Sequence, residues 1–500
     1  MGRVHVACCT ALIPLLTLSG CLLGPNYARP NVDIPQAYRF AEVSPNELAD
    51  SAWWEQFQDP VLNELITTAL QENRDVKVAT ARIDEFVGQL ITTRSGLFPQ
   101  VAAGFDATRE RASQSAGIPI RAGLNPVFNQ FEASASGIWT IDLWGQIRRQ
   151  VEAARANLLA TEDARRATIL SLVAAVASSY INLRSLDRQL QIAQSTAASR
   201  AESVTVFSQR FHGGEVSQME LAQSESLYQE ALAAIPQLET QIAQQEDALS
   251  VLLGSNPEPI MRGRELAVLG VPEVPSGLTV DLLDRRPDLQ EAEQILVAQT
   301  ALVGSAKAEY FPQISLTGLF GSVASRFSDL FSGPAKVWSY AGSVVQPIFT
   351  GGRIYGDVHQ AEARRQEALF AYEKAIEVAF QQVADALILL KKSREQLDVQ
   401  SKQVDALATY ARLARLRYEG GYTSYIEVLD AERSLFNAQL SYTQTKGTTL
   451  TALVSLYMAM GGGWVVKAEG MTMPSPSPAP AAPSASAPSE TGRSLARATP

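Results

Sequence analysis

The stretch Arg417-Tyr418-Glu419-Gly420-Gly421-Tyr422-Thr423-Ser424-Tyr425-Ile426-Glu427-Val428-Leu429-Asp430-Ala431-Glu432-Arg433 decides how the chain is organised. One long amphipathic helical pattern runs into it and another runs out. Two adjacent glycines between such patterns mark a reversal, because glycine takes positive φ without a Cβ clash. The same arrangement occurs earlier as Arg210-Phe211-His212-Gly213-Gly214-Glu215-Val216-Ser217-Gln218-Met219-Glu220. The offset of 207 (417 − 210) also pairs Ser217 with Ser424, Glu220 with Glu427, Glu225 with Glu432 and Gly254 with Gly461. The chain is an internal duplication, and Gly213-Gly214 and Gly420-Gly421 are the tips of its two copies.

Long rods lead to these tips. Before the first, Val173, Val176, Tyr180, Leu183, Leu186, Leu190, Ala193, Ala197, Ala201, Val204, Phe207 and Phe211 recur every three or four residues, the seam of a coiled coil. Val358, Leu369, Tyr372, Ile376, Phe380, Val383, Leu387 and Leu390 repeat the pattern before the second. About sixty residues at ~1.5 Å each make a rod of roughly 90 Å. Pro236 lies inside one returning pattern and is expected to kink or break it.

Upstream of each rod the period changes from helical to two. An early helical pattern, with Leu62, Leu65, Ala69 and Leu70 on one side, runs to about Gly96 and stops at Leu97-Phe98-Pro99. Val101, Ala103, Phe105 and Ala107 then alternate with Ala102, Gly104, Asp106 and Thr108. A second run sets Phe131, Ala133, Ala135, Gly137, Trp139, Ile141 and Leu143 against Glu132, Ser134, Ser136, Thr140 and Asp142. Tyr310-Phe311-Pro312 repeats the turn at an offset of 213 (312 − 99), followed by Ile314, Leu316, Gly318 and Phe320 and a last run from Trp338 to Val345. Apolar-out, polar-in runs of about ten residues read as membrane barrel strands, and equally as strands of a soluble sandwich. Four strands cannot close a membrane barrel, since about eight is the minimum, and open edges are not tolerated in lipid. If they span a membrane, the barrel is shared between copies.

The N-terminus places the chain in an envelope. Arg3 precedes an apolar run from Val6 to Leu18, too short to span a bilayer, ending in Leu18-Ser19-Gly20-Cys21. Residues 1–20 read as a signal peptide and Cys21 as the acylated first residue of a mature lipoprotein; an ordinary cleaved signal with a stray cysteine is the alternative. Myristoylation after Met1-Gly2 is disfavoured by Val6. With Cys8 and Cys9 in the removed segment, no disulfide and no cysteine metal site is expected in the mature chain. His5, His212 and His359 are scattered, which leaves no site for histidine-ligated metal or triad chemistry. The net charge of −10 argues against a nucleic-acid partner. No phosphate-cradling nucleotide motif is found, so energy has to come from elsewhere.

These readings divide the chain. Residues 21–60 form a tether in which Trp53-Trp54 pack rather than bind ligand. Residues 61–260 form a first repeat, with a hairpin at about 100–143 and a tip near 213. Residues 280–464 form a second, with a hairpin at about 313–349 and a tip near 420. Residues 471–500, Pro-, Ala- and Ser-rich, read as a disordered tail.

Together with Gly24-Pro25-Asn26-Tyr27, Asp59-Pro60, Asp284-Arg285-Arg286-Pro287-Asp288-Leu289, Pro347-Ile348-Phe349-Thr350-Gly351-Gly352-Arg353 and Leu429-Asp430-Ala431, this organisation resembles the TolC-like outer-membrane factors. The likeness is specifically to their lipoprotein branch, the channels of RND-type multidrug efflux pumps. The resemblance implies a mainly α chain with membrane β, and a homotrimer whose twelve-stranded outer-membrane barrel continues as a periplasmic helical tunnel. It implies no enzyme, no cofactor beyond N-palmitoyl and S-diacylglycerol on Cys21, and no metal. Its implied partners are a periplasmic adaptor and an inner-membrane RND transporter docking at Gly213, Gly214, Gly420 and Gly421, with outer-membrane lipid around the barrel. Matching positions give a periplasmic constriction at Tyr418, Ile426, Glu427, Asp430 and Arg433. Asp430 with Arg433 is either a surface ion pair or a latch between neighbouring helices, and Tyr418 either a gate residue or seam packing. A type I secretion duct and a non-conducting lipoprotein that braces the envelope are the alternatives.

Overall fold

A computed structural model describes residues 22–32, 34–35, 38–40, 52–113, 126–272, 282–461 and 464–472. The signal peptide, Cys21 and residues 473–500 of the expected disordered tail lie outside the described residues. A short 3-10 turn, Trp53–Phe57, is followed by α1 (Pro60–Glu72), α2 (Arg74–Ser95), β1 (Gln100–Arg111) and β2 (Val127–Ile141). Helices α3 (Gln146–His212) and α4 (Gln218–Leu252) complete the first copy. The second begins with α5 (Leu282–Arg285) and α6 (Pro287–Ala308), followed by β3 (Gln313–Ala324) and β4 (Lys336–Val345). It ends with α7 (Arg353–Glu419), α8 (Tyr425–Met460) and a short α9 (Trp464–Met471).

The duplication holds element by element. An offset of 213 carries α2 onto α6 and β1 onto β3, and an offset of 207 carries α3 onto α7 at both ends. Each of these two rods has 67 residues, so each is about 100 Å long. The most apolar stretch of α3 is mostly buried inside the protein rather than left bare. Most of the expected seam is buried there, Val176, Tyr180, Leu183 and Ala193 fully so. Phe211 departs from it: the helix ends one residue later, and the ring is exposed.

Two further expectations are corrected. The pattern from residue 60 to about Gly96 is two helices, because Asn73 adopts φ −56°, ψ 134° between them. Its side chain accepts from the Asp75 and Val76 amides, capping α2, and its Nδ2 donates to the Leu252 carbonyl. Pro236, in contrast, does not break α4. The proline itself is exposed, while Ala231 and Leu238 stay buried on the packed side.

The four strands form one antiparallel sheet in the order β1-β2-β3-β4. Residues opposite one another share a face. The register pairs Phe105 with Ala133, Ala135 with Phe320 and Phe320 with Trp338. One apolar face therefore runs across all four strands, with Val101, Phe105, Phe320, Trp338 and Tyr340 exposed on it. Asp106, Glu132, Ser134, Ser136, Ser339 and Ser343 lie on the other.

Below the sheet, segments from early and late in the chain close the core. Trp53 stacks on Tyr457 with centroids 5.2 Å apart, and Trp464 meets both Trp53 and Trp54 edge-on. The adjacent tryptophans are thus packing residues. Asp59 is fully buried, accepting from the Val61 and Arg264 amides and from the Tyr180 hydroxyl. The Asp284–Leu289 motif places Arg286, also buried, so that it donates to the Ala459 carbonyl, to Asp288 and to Gln382. One guanidinium ties α6, α7 and α8 together.

Gly254 ends the first copy with φ +77°, and a Cβ there would lie 2.3 Å from the Glu72 carbonyl oxygen. Gly254→Ala should lower stability by more than about 1 kcal/mol, through left-handed strain plus the clash, in a thermal or denaturant melt in detergent. A melt matching that of the native protein would refute this account of the contact.

Candidate functional site

Both helical hairpins reverse through the same backbone device. Gly214 and Gly421 each take φ +77°. The Glu215 amide donates to Arg210 O and the Gly214 amide to Phe211 O. Tyr422 to Arg417 and Gly421 to Tyr418 repeat the pair, so each tip is a Schellman motif that satisfies the last carbonyls of its rod.

The outgoing helices start differently. Ser217 accepts from the Glu220 amide while the Glu220 carboxylate accepts from the Ser217 amide, a complete capping box. Ser424 makes no side-chain cap bond. Glu427, the counterpart of Glu220, instead lines a groove of about 500 Å³ with Ile426, Asp430 and Arg433, closed by Gln223 and Leu227 of α4 and Tyr410 of α7. Ile426, Asp430 and Arg433 are spaced four and three apart, share one face of α8 and are all exposed. Asp430 and Arg433 pair at 2.7 Å within that helix, each side chain about half exposed. The structure brings these four expected site residues together.

Tyr418 lies elsewhere. It packs in a cluster with Phe207 and Tyr425, at 6.1 and 5.0 Å between ring centroids, and its hydroxyl accepts from Arg210 at 3.1 Å. Phe207 and Tyr425 are closer still, at 3.9 Å. This aromatic seam joins α3 to α7 and α8 just above the tips.

On the opposite side of α8 is a second groove, lined by Ser199 and Arg200 of α3, Arg412 and Arg415 of α7, and Glu432 and Phe436 of α8. Arg415 pairs with Glu432 at 3.3 Å. Burial pushes the Glu432 carboxyl up from its ordinary range, against the pull of Arg415 and Arg200. Arg200 had no signal in the sequence, where an arginine in a charged helical pattern reads as solvated.

At the other end of the rods, Leu22 to Arg29 lie strapped against the helices. Arg149, buried at the start of α3, donates to the Leu23 and Gly24 carbonyls and to Asn26 Oδ1. The Tyr27 hydroxyl donates to Glu293, and Arg29 pairs with Glu293 and Asp284. Burial and the Glu293 carboxylate together push the Tyr27 phenol up. Among the described residues, no group of three or more His, Cys, Asp or Glu could hold a metal ion.

Known proteins share this architecture throughout. The outer membrane efflux protein family model matches residues 65–255 and 278–462, one segment in each copy. The probable efflux pump outer membrane protein TtgC of Pseudomonas putida is 34% identical over 455 residues, covering 89% of this chain and 93% of that one. The cation efflux system protein CusC of Escherichia coli O157:H7 is 33% identical over 454 residues, covering 90% and 97%. Among solved structures, the Campylobacter jejuni CmeC outer membrane channel superposes with a TM-score of 0.85 at 25% identity, covering 91% of this chain and all of that one. Two matched repeats, full-length relatives and the tandem hairpin fold converge: this chain belongs to the outer membrane efflux protein family, as an outer-membrane efflux channel that extends into the periplasm.

Proposed function

We propose that the chain is the exit duct of a tripartite efflux pump and works as a homotrimer. The observation that carries this is the sheet: β1 and β4 each pair on one side only, and the apolar face between them is bare. In lipid both must be covered, the face by hydrocarbon and the edges by other strands. β4 of one copy meeting β1 of the next is a head-to-tail contact that closes into a ring. Three copies give twelve strands, the number the TolC-like resemblance implies. The rods then form the tunnel, and the tips at Gly213-Gly214 and Gly420-Gly421 receive a periplasmic adaptor and an RND transporter, which supplies the energy. The duct itself catalyses nothing and passes drugs or other toxic small molecules outward.

Threefold symmetry turns Glu427 and Asp430 into rings of three carboxylates, which favour cations as acidic filters do. Ile426 and Arg433 complete the narrow face, and Tyr418 holds α7 and α8 against α3 behind it. In planar bilayers, purified trimer should pass small, cation-selective currents that grow and lose selectivity in the double variant Glu427→Ala, Asp430→Ala. No current from either protein, with three chains confirmed by native mass, would count against a duct. The half-exposed Asp430–Arg433 pair contributes at most about 0.5 kcal/mol. The thermal midpoint of Asp430→Ala should therefore stay within about 2 °C of native, and a larger drop would make the pair structural.

The strap supports a lipid anchor at Cys21. Leu22 packs against Gly145 and the Leu23 amide donates to the Trp144 carbonyl, at the junction of β2 and α3. Leu22 thus sits at the junction of strand and rod, so an acyl chain carried just ahead of it would reach the inner leaflet. Intact mass of protein taken from envelopes should begin at Cys21 with N-palmitoyl and S-diacylglycerol attached, and Cys21→Ala should lose both. A native chain of unmodified mass would rule the anchor out.

A further inference from the structure

Arg200 lies on α3, thirteen residues before Gly213 and so roughly 20 Å up the rod. Its side chain is 3% exposed. Nη1 donates to the Leu227 carbonyl at 2.6 Å and to Glu230 at 3.3 Å, both on α4. The guanidinium carbon sits 5.2 Å from the centroid of the Phe436 ring on α8. Nε and Nη2 are sealed from solvent and meet no acceptor among the described residues. The carboxylates that face it are Glu230, with its side chain 42% exposed, and Glu432, which is already paired with Arg415. One buried cation therefore bridges the α3–α4 hairpin to α8, with acceptors at a single one of its three nitrogens.

Its position on α8 matters. Glu432 and Phe436 are four residues apart on one face, whereas Asp430 is two residues from Glu432, about 200° around the helix. The same two turns of α8 carry the acidic narrow face on one side and the Arg200 contact on the other. Any motion that takes α8 away from α3 widens one and uncovers the other.

A guanidinium placed this way costs more than it returns. Buried donors without acceptors are destabilising, and an apolar side chain of similar volume in place of a buried charge is often neutral or stabilising. Removing the arginine strands little, since Glu230 reaches water. Burial also draws the guanidinium's proton affinity down, which reflects the same penalty. The ring of Phe436 offsets part of it, but only water offers acceptors to Nε and Nη2. We infer that Arg200 is a positioning residue that biases the tip towards opening, because the packed arrangement of α8 on α3 buries a cation that an opened one hydrates. This rests on the reading of the α8 tip as the constriction.

The test compares full-length trimeric Arg200→Met with native protein in two measurements. Thermal unfolding in detergent should show a higher midpoint for the variant. In planar bilayers the fraction of time at the high-conductance level should fall by about tenfold, the change that about 1.4 kcal/mol produces. Arg200→Lys, which keeps a buried cation, should open like the native trimer. A lower midpoint with more frequent opening would overturn the proposal and make Arg200 a clasp that holds the tip shut. Unchanged opening, or a variant that fails to fold, overturns it as well. Glu427→Ala, Asp430→Ala is recorded in the same bilayers. If that variant leaves the currents unaltered, the constriction reading fails, while the Arg200→Met midpoint still reports whether the arginine weakens the packing.

Discussion

In hydrocarbon, a backbone N–H or C=O without a partner costs several kcal/mol, and a sheet of four strands has two such edges. In the trimer proposed above, that constraint is met with other copies rather than within one. The strands are long and evenly matched, and β2 pairs with β3, so each half of the duplication contributes one hairpin to a seamless unit. The apolar face is left uncovered by any helix, which a soluble sandwich would not allow.

The rods have the opposite economy. Their backbone bonds are satisfied internally, so length is limited only by how the ends are finished and what the sides pack against. The Schellman tips finish one end. At the other, the buried guanidinium of Arg149 gathers the Leu23 and Gly24 carbonyls, and midway along the rods Trp464 meets Trp53 edge-on while Arg286 donates to the Ala459 carbonyl. The channel end, by comparison, is held by aromatic contacts, exposed ion pairs and one poorly satisfied arginine. A tube that must open at one end and stay fixed at the other would be built with such a gradient.

Duplication supplied two equivalent hairpins, and small changes made them unequal. Ser217 and Glu220 lock the start of α4 by capping each other, whereas the equivalent Ser424 and Glu427 do not, and Glu427 faces a groove with Asp430. A residue that caps its helix in one copy is free of that task in the other and lines a groove.

The repeat, the strand pattern, the rods and the tip glycines were all legible in the sequence. Each is local: glycine's tolerance of positive φ, a period of two or near 3.6, and an offset between copies depend on neighbours a few residues apart. Ile426, Asp430 and Arg433 came from the family resemblance, and the structure adds that they share an exposed face of α8. Where local rules met a tertiary partner, they gave way. Asn73 splits a continuous apolar pattern because it bonds to Leu252, 179 residues away, and Pro236 sits exposed inside an unbroken α4. Which rings Tyr418 would meet, and that Arg200 would be sealed between two hairpins, only the tertiary structure decided. Burial of a long polar side chain is fixed by what packs over it, and no spacing along the chain records that.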